Sequence, residues 1–199
     1  MKIKKLYIEG FRSLRQISWR PGDLNVIIGP NGTGKSNLLR FLELIAVSSQ
    51  GRLGKHIQSL GGMDPIVWDG IATSISFCLE TEPVGSELGP EHYELELARL
   101  GSGSSYKIGK ELLINSYKLG EKIERNPFKF LERISTSAVF FDETQRTFVT
   151  PEEFISDEES LLSLAAGPFI NNRFICLLYT SDAADDLLCV DLGGRRLLK

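Results

Sequence analysis

The first part of the chain consists of short apolar runs separated by polar breaks. The segment KIKKLYIEGF, with Ile3, Leu6 and Ile8, and the segment SLRQISW that follows it predict two short strands separated at Gly10. The apolar run Leu24–Ile28, within DLNVIIG, predicts a third, buried strand that leads into a glycine-rich loop. We therefore expect three strands before the first helix.

A glycine-rich stretch separates the third predicted strand from an amphipathic segment. In that segment Leu38, Phe41, Leu42 and Ile45 recur at helical spacing and lie on one face. Gly51 is placed to end this helix. The predicted order is strand, glycine loop, helix.

The middle of the chain has the two-residue alternation of half-buried strands. The alternation is clear in TSISFCLE (73–80), and YELELARL (93–100) leads through the turn GSGSS into YKIGKELLI (106–114), which predicts a hairpin. AVFFDETQRTFV (138–149) predicts another hairpin, turning near Thr144 and Gln145. NPFKFLERI (126–134) and TPEEFISDEESLLSLAA (150–166) predict short helices.

Charge is unevenly distributed along the chain. Its 199 residues are 42% hydrophobic and 25% charged, with a formal net charge of −3, an ordinary globular composition. Residues 1–40 nevertheless carry eight Lys or Arg against two acidic residues, a local net charge of +6. The basic end suits an anionic ligand, and both nucleotide and nucleic acid qualify.

The cysteines and the N-terminal sequence indicate the cellular compartment in which we expect the protein. Cys78, Cys176 and Cys189 form no Cys-x-x-Cys pair and are odd in number, which favours a reducing compartment over a disulfide framework. The basic start has no apolar segment of the kind that a secretion signal needs, and no apolar run approaches the ~20 residues that span a bilayer. We expect a cytoplasmic protein with no membrane partner.

The glycine-rich stretch GPNGTGKS matches the phosphate-loop pattern Gly-x-x-x-x-Gly-Lys-[Ser/Thr] at Gly29, Gly34, Lys35 and Ser36. Glycines allow turns in which successive backbone N–H groups point at a phosphate, and the following helix adds its positive N-terminus. Lys35 would contact the β- and γ-phosphate oxygens, and the Ser36 hydroxyl would complete a Mg²⁺ shell. The alternative is a glycine-rich turn with a solvated lysine. The flanking strand and helix favour the phosphate loop.

The segment LYIEGFRSL…LNVIIGPNGTGKSNLLRFLELI resembles the N-terminal half of the ABC-type ATPase heads of the RecF/SMC/OLD group, and GGMDPIVWDG resembles RecF-like AAA-family (AAA_21-like) ATPases. The resemblance implies an α/β P-loop NTPase fold: the N-terminal lobe of an ABC-type ATPase head with added antiparallel β hairpins, an incomplete domain. It implies ATP and Mg²⁺ as cofactors, a homodimer of heads and DNA as a possible partner. The implied nucleotide-binding residues are Arg12, Gly29, Asn31, Gly32, Thr33, Gly34, Lys35, Ser36 and Asn37. Of these, Lys35 would be catalytic and Ser36 would bind the metal ion. Arg12 would lie near the phosphates and Asn37 near the α-phosphate. For Arg12 a solvated turn arginine is an equal alternative.

Hydrolysis in this class needs a Walker B Asp-Glu pair, an LSGGQ-like signature and a switch histidine, and no LSGG occurs in this chain. Asp142 and Glu143 end an apolar run that resembles a Walker B strand. Because another predicted strand follows at once, we favour the interpretation that the two residues form the polar end of a hairpin strand. Gln145 is a still weaker candidate for a Q-loop glutamine. His56 and His92 precede any switch position, and we expect them to be surface residues.

The C-terminal segment resembles translated sequencing adapter. CLLYTSDAADD and VDLGGRR back-translate to two segments of a transposase adapter used in sequencing libraries, in one reading frame. We expect residues 1–175 to be the N-terminal part of an ABC-type ATPase domain and residues 176–199 to be a non-native tail. A genuine apolar strand that imitates Walker B is the alternative.

The pathway stays open among DNA repair, chromosome maintenance and anti-phage defence. A membrane-transporter ATPase subunit would share the phosphate loop, although the FRSL opening and the long antiparallel insertion fit it poorly. A GTPase or small-molecule kinase would need motifs such as [N/T]-K-x-D that the chain lacks. A non-catalytic nucleotide-binding or interaction protein is a further alternative.

Overall fold

The structure is a computed structural model, and it describes residues 3–82, 88–101, 104–119, 122–123, 127–134, 137–142, 147–150 and 156–162. Within these residues nine strands form antiparallel pairs. They are β1 (Ile3–Phe11), β2 (Leu14–Trp19), β3 (Ser74–Thr81), β4 (Leu88–Arg99), β5 (Tyr106–Leu119), β6 (Lys122–Ile123), β7 (Phe128–Ile134), β8 (Ser137–Asp142) and β9 (Thr147–Val149). Their order across the sheet is β2-β1-β3-β4-β5-β7-β8-β9, and β6 pairs with the end of β5.

Two helices and one 3₁₀ turn (Trp68–Gly70) connect β2 to β3: α1 (Lys35–Ser49) and α2 (Leu53–Ser59). Within the described residues, no helix is long and apolar enough to cross a membrane. The predicted helix is confirmed, with Leu44 buried and Leu42 at the edge of the buried face. Gly51 follows the end of α1 at a φ of 65°, as its position in the sequence predicted.

Four aromatic rings connect α1 to the sheet. Phe41 of α1 lies edge-to-face against Phe11 of β1 and Phe77 of β3, with ring centroids 5.2 Å apart in both pairs. Phe77 in turn meets Tyr93 of β4 at 5.6 Å. Edge-to-face pairs of this kind are favoured by the quadrupoles of the rings. The core therefore lies between α1 and one face of β1, β3 and β4.

The alternation predicted for residues 73–80 is confirmed in β3, where Ile75, Phe77 and Leu79 are buried. The predicted break at Gly10 is wrong in detail, because β1 continues to Phe11. Gly10 has a φ of 79°, and a Cβ there would lie 2.3 Å from the carbonyl oxygen of Ser74. The glycine therefore allows close contact with β3 and does not end the strand.

The prediction of a buried strand at Leu24–Ile28 is wrong for the described residues. The segment pairs with no described strand, and the side chains of Leu24, Val26 and Ile28 are 86%, 72% and 88% exposed. A strand needs a hydrogen-bonding neighbour for its backbone, and β2 forms the edge of the described sheet. The apolar run therefore lies exposed beside the glycine loop.

The predicted helix at residues 126–134 is also wrong. Its described part is strand β7, in which Leu131 and Arg133 are buried on one side while Phe128 and Phe130 contact each other on the other side. Because both faces of this strand carry apolar side chains, the sequence lacks the alternation of apolar and polar residues that predicts a strand. The buried Arg133 guanidinium donates hydrogen bonds to the carbonyl oxygens of Ser156 and Glu159. These tertiary hydrogen bonds compensate for the cost of burying the charged side chain.

The two predicted hairpins are confirmed: β4 pairs with β5, and β8 pairs with β9. The turn near Thr144 and Gln145 lies outside the described residues, as do most of the helix predicted at 150–166 and the whole of 176–199.

A buried carboxylate attaches the segment 156–162 to the sheet. Glu111 of β5 is fully buried, and its Oε1 accepts hydrogen bonds from the hydroxyls of Tyr93 (2.8 Å) and Ser160 (2.6 Å). Its Oε2 accepts a hydrogen bond from the backbone N–H of Leu161 at 2.9 Å. Burial raises the pKa of Glu111, although these three donors and the charge of Arg133 oppose the rise.

The raised pKa predicts a pH-dependent component of stability. Glu111 binds its proton more tightly in the folded chain, so its contribution to the free energy of unfolding is greatest below the ordinary carboxyl pKa of 4.5 and decreases as pH rises through the raised value. Glu111→Gln mimics the protonated side chain, and both hydroxyls can rotate to accept from its amide. We therefore expect the variant to gain stability relative to wild type as pH rises above 4.5. Urea unfolding at several pH values measures this difference, and a pH-independent difference would contradict it.

Candidate functional site

The glycine loop runs directly into α1. Gly34 caps the helix with a φ of 94°, and its carbonyl oxygen accepts hydrogen bonds from the N–H groups of Asn37 (3.0 Å) and Leu38 (3.1 Å). A Cβ at Gly34 would lie 2.7 Å from the hydroxyl of Ser13. Gly32 also has a positive φ, of 85°. The positive φ angles at Gly32 and Gly34 favour glycine, as predicted, whereas Gly29, the first glycine of the phosphate-loop pattern, has no positive φ.

The turn between β1 and β2 packs against the start of α1. The side-chain amide of Asn37 donates to the Ser13 hydroxyl at 2.8 Å, and the Arg12 N–H donates to the carbonyl oxygen of Ile66 at 2.8 Å. Arg12 itself has a φ of 48°, which is unusual for a residue with a side chain. The FRS turn and the glycine loop, separated in sequence, are thus held together by direct contacts.

The Lys35 ammonium is folded back onto the loop. Its Nζ donates to the carbonyl oxygens of Gly29 and Pro30, at 2.6 Å each. The Thr33 hydroxyl also donates to the Pro30 oxygen, at 2.9 Å. The side chains of the loop and of Ser36 are open to solvent. An anion entering the loop would replace two carbonyl oxygens as the partner of this ammonium.

A second cationic centre lies at the FRS turn. Burial lowers the pKa of Arg12, and the nearby positive charge of Arg40 lowers it further. The buried Nε of Arg12 has no hydrogen-bond partner among the described residues. A buried guanidinium nitrogen that lacks an acceptor, beside another cation, is the environment that a bound anion would complete. The site therefore fits a phosphate-bearing ligand.

The sequence predictions for this region differ in outcome. The structure brings the FRS turn and Asn37 together through Ser13. It places Gly29, Asn31, Gly32, Thr33 and Gly34 on the loop, and Lys35 and Ser36 in the first turn of α1. The sequence interpretation missed Ser13 and Arg40. Ser13 could have been found from its place in the FRS motif, and Arg40 from its place as an additional basic residue in the predicted helix.

Asp142, the described residue of the Walker B-like pair, does not lie beside this loop. Asp142 is the last residue of β8 and pairs with Thr147 of β9, which is the hairpin interpretation that the sequence favoured. β8 lies five strands from β1 in the sheet order, roughly 24 Å along the sheet at the usual strand spacing. Glu143 and Gln145 lie outside the described residues. His56 lies on α2 and His92 on β4, both partly exposed.

Comparison with known proteins identifies the class. A profile of AAA ATPase domains, AAA_15, matches residues 1–141. The phosphonates import ATP-binding protein PhnC of Alcaligenes faecalis is 37% identical over 67 residues, which cover 31% of this chain and 24% of that protein. The OLD nuclease of Thermus scotoductus is 42% identical over 43 residues, covering 22% of this chain and 8% of that nuclease. Both matches span less than a third of either partner. Since the profile matches well over half of the 199 residues, the chain belongs to AAA_15, a family of AAA ATPase domains.

Proposed function

We propose that this chain binds Mg-ATP at the glycine loop 29–34 and the first turn of α1. The observation that carries the proposal is the position of Lys35 at the N-terminus of α1, where its ammonium contacts only loop carbonyl oxygens, next to the FRS turn whose Arg12 Nε is buried without an acceptor. Backbone N–H groups of the loop, the helix dipole and these two cations all favour a polyphosphate. Membership of a family of AAA ATPase domains supports ATP as the nucleotide.

Each site residue has a role in this proposal. Gly29, Asn31, Gly32, Thr33 and Gly34 supply the backbone that surrounds the β-phosphate, and Lys35 and Arg12 neutralise phosphate charge. Asn37 is hydrogen-bonded to Ser13 and would lie near the α-phosphate of a bound nucleotide. The Ser36 hydroxyl is exposed and is the proposed protein ligand of Mg²⁺. When bound, this ion would neutralise charge on the phosphates during transfer.

Mg²⁺ dependence tests the assignment of Ser36. We expect the chain to bind ATP more tightly with Mg²⁺ than without it, and AMP far more weakly than ATP, because the proposed contacts are to the outer phosphates. Ser36→Ala should abolish most of the gain from Mg²⁺ and leave the affinity for metal-free ATP nearly unchanged. Displacement of a fluorescent ATP analogue measures these affinities, with Ser18→Ala on β2 as the matched control. Equal responses to Mg²⁺ in wild type and Ser36→Ala would contradict the role of Ser36.

The exposed run Leu24–Ile28 supports a further part of the proposal, that residues 1–175 are one part of a larger ATPase domain. A segment that is apolar at four of its five positions and leads into the loop is suited to the centre of a sheet, yet Ile28 is 88% exposed here. We propose that further strands of that larger domain cover it and supply the residues for hydrolysis between two heads.

The similarity to an OLD nuclease supports a parent that acts in DNA repair, chromosome maintenance or anti-phage defence. The similarity to PhnC keeps a transporter ATPase subunit as the alternative. Duplex DNA that raises the affinity of the chain for ATP would favour the first, and an unchanged affinity would weigh against it.

A further inference from the structure

Four side chains able to bind metal form a compact block on the sheet, away from the glycine loop. The register pairs Cys78 of β3 with Glu94 of β4, and Glu80 with His92. Because alternate residues of a strand share a face, all four lie on the face opposite the buried Phe77, Leu79, Tyr93 and Leu95. Neighbouring antiparallel strands thus present one thiol, one imidazole and two carboxylates to solvent.

The distances among these groups are those of atoms that could share one ion. The Cys78 Sγ lies 3.5 Å from Nδ1 and 3.6 Å from Nε2 of His92. Ligand atoms on a tetrahedral zinc are separated by roughly 3.6 Å for sulfur and nitrogen and by roughly 3.4 Å for nitrogen and oxygen, from the usual Zn–S, Zn–N and Zn–O bond lengths. Glu94 Oε1 is 2.8 Å from His92 Nε2, and Glu80 Oε1 is 3.9 Å from His92 Nδ1. A histidine binds one ion through one nitrogen, so Nε2, the nitrogen beside Glu94, is the one that can share an ion with the thiolate and that carboxylate. The nearly equal distances from Sγ to the two nitrogens place the sulfur over the face of the ring, so the imidazole would have to rotate to bring the ion into its plane.

We propose that Cys78, Nε2 of His92 and Glu94 bind one Zn²⁺ ion, with a solvent molecule completing the tetrahedron. Thiolate and imidazole ligands select zinc and similar transition metals over Mg²⁺ and Ca²⁺, which prefer all-oxygen sites. The site is therefore chemically distinct from the proposed Mg-ATP site.

The surroundings suit this role. Lys110 of β5 forms an ion pair with Glu94 through Oε2, so it can orient the carboxylate while Oε1 turns toward the ion. The side chains of His92, Glu80 and Glu94 are 25%, 32% and 28% exposed, which leaves a path for the ion from solvent. A catalytic cysteine is the alternative. Burial and the charges of Glu94 and Glu80 raise the pKa of Cys78 to about 11, so the thiol of the metal-free cluster is a poor nucleophile at neutral pH.

The bound ion would link β3 to β4 on the face opposite α1. Because the ion would bind the folded sheet and not the separated strands, binding would raise thermal stability by mass action. This role is structural and independent of the nucleotide.

Two measurements on the full chain test the site. Zinc affinity is measured by competition with a chromogenic chelator, and we expect one Zn²⁺ per chain. Co²⁺ is then titrated as a spectroscopic substitute, and we expect a thiolate-to-cobalt charge-transfer band in the near ultraviolet. Cys78→Ser should eliminate the band, and Cys78→Ser and His92→Asn should each weaken zinc binding at least ~100-fold, since loss of even an outer partner commonly weakens metal binding 10- to 100-fold.

Matched controls use the remaining cysteines and histidine. The double variant Cys176→Ser/Cys189→Ser and the variant His56→Asn should keep both the band and the zinc affinity. Thermal unfolding without metal checks that each variant is folded. A cobalt complex of the wild-type chain without a thiolate band would overturn the proposal whatever the variants do. Unchanged zinc affinity in folded Cys78→Ser or His92→Asn would overturn it equally.

Discussion

Replacing Lys35 with alanine is expected to weaken ATP binding by roughly 10- to 100-fold. The ammonium donates to the Gly29 and Pro30 carbonyl oxygens at 2.6 Å, and bound phosphate would replace these neutral acceptors with anionic ones. Hydrogen bonds to charged groups contribute about 1.5–3 kcal/mol, and 1.4 kcal/mol corresponds to a tenfold change in affinity. Calorimetric titration of the full chain with Mg-ATP measures the loss.

The matched control for this experiment is Lys55→Ala, which removes an exposed lysine from α2 without touching the glycine loop. It should bind ATP like wild type. Alanine is a strong helix former, so Lys35→Ala should keep α1 folded, and circular dichroism checks this. Equal ATP affinities for wild type and folded Lys35→Ala would refute the role assigned to the loop.

Replacing Glu111 with leucine is expected to lower the free energy of unfolding by about 3 kcal/mol. The change removes the acceptor for the Tyr93 hydroxyl, the Ser160 hydroxyl and the Leu161 N–H, all of them buried. A buried donor that loses its partner costs about 1–3 kcal/mol, and hydroxyl rotation offsets part of the sum. Urea unfolding followed by tryptophan fluorescence measures the change.

A comparison of four variants distinguishes the loss of these hydrogen bonds from the loss of a negative charge in general. Glu132→Leu removes a carboxylate from β7 that forms a surface ion pair with Lys129, and it should change stability by less than about 1 kcal/mol. In the Glu111→Leu background, Tyr93→Phe should cost less than it costs in wild type, because the hydrogen bond from Tyr93 to Glu111 is already absent. Equal costs of Tyr93→Phe in the two backgrounds would show that the hydrogen bond to Glu111 contributes nothing to stability.

The most local features of the chain were predictable from sequence. The spacing of Leu38, Phe41 and Ile45 predicted α1, and the alternation around Phe77 predicted β3, because each period follows from the geometry of one element. Glycines at 32 and 34 predicted the positive φ angles of the loop, since these conformations are costly for other residues. Family membership was also predictable, because the matching motif is continuous in sequence.

The errors arose where a segment depends on distant partners. Leu24–Ile28 has the composition of a buried strand, but burial requires neighbours that the described residues do not include. Residues 126–134 form a strand because β5 and β8 pair with both sides of β7, and this pairing can outweigh local preference.

Sequence alone determined the elements with a clear period, the glycine loop and the family, because these depend on residues close together in the chain. Tertiary structure alone decided which distant groups meet. It placed Ser13 against Asn37, attached residues 160–161 to Glu111, and set the register that brings Cys78 to His92 and Glu94. The physical reason is that strand pairing and side-chain burial are long-range interactions. A one-residue shift of β4 would turn His92 and Glu94 into the core and remove the proposed metal site.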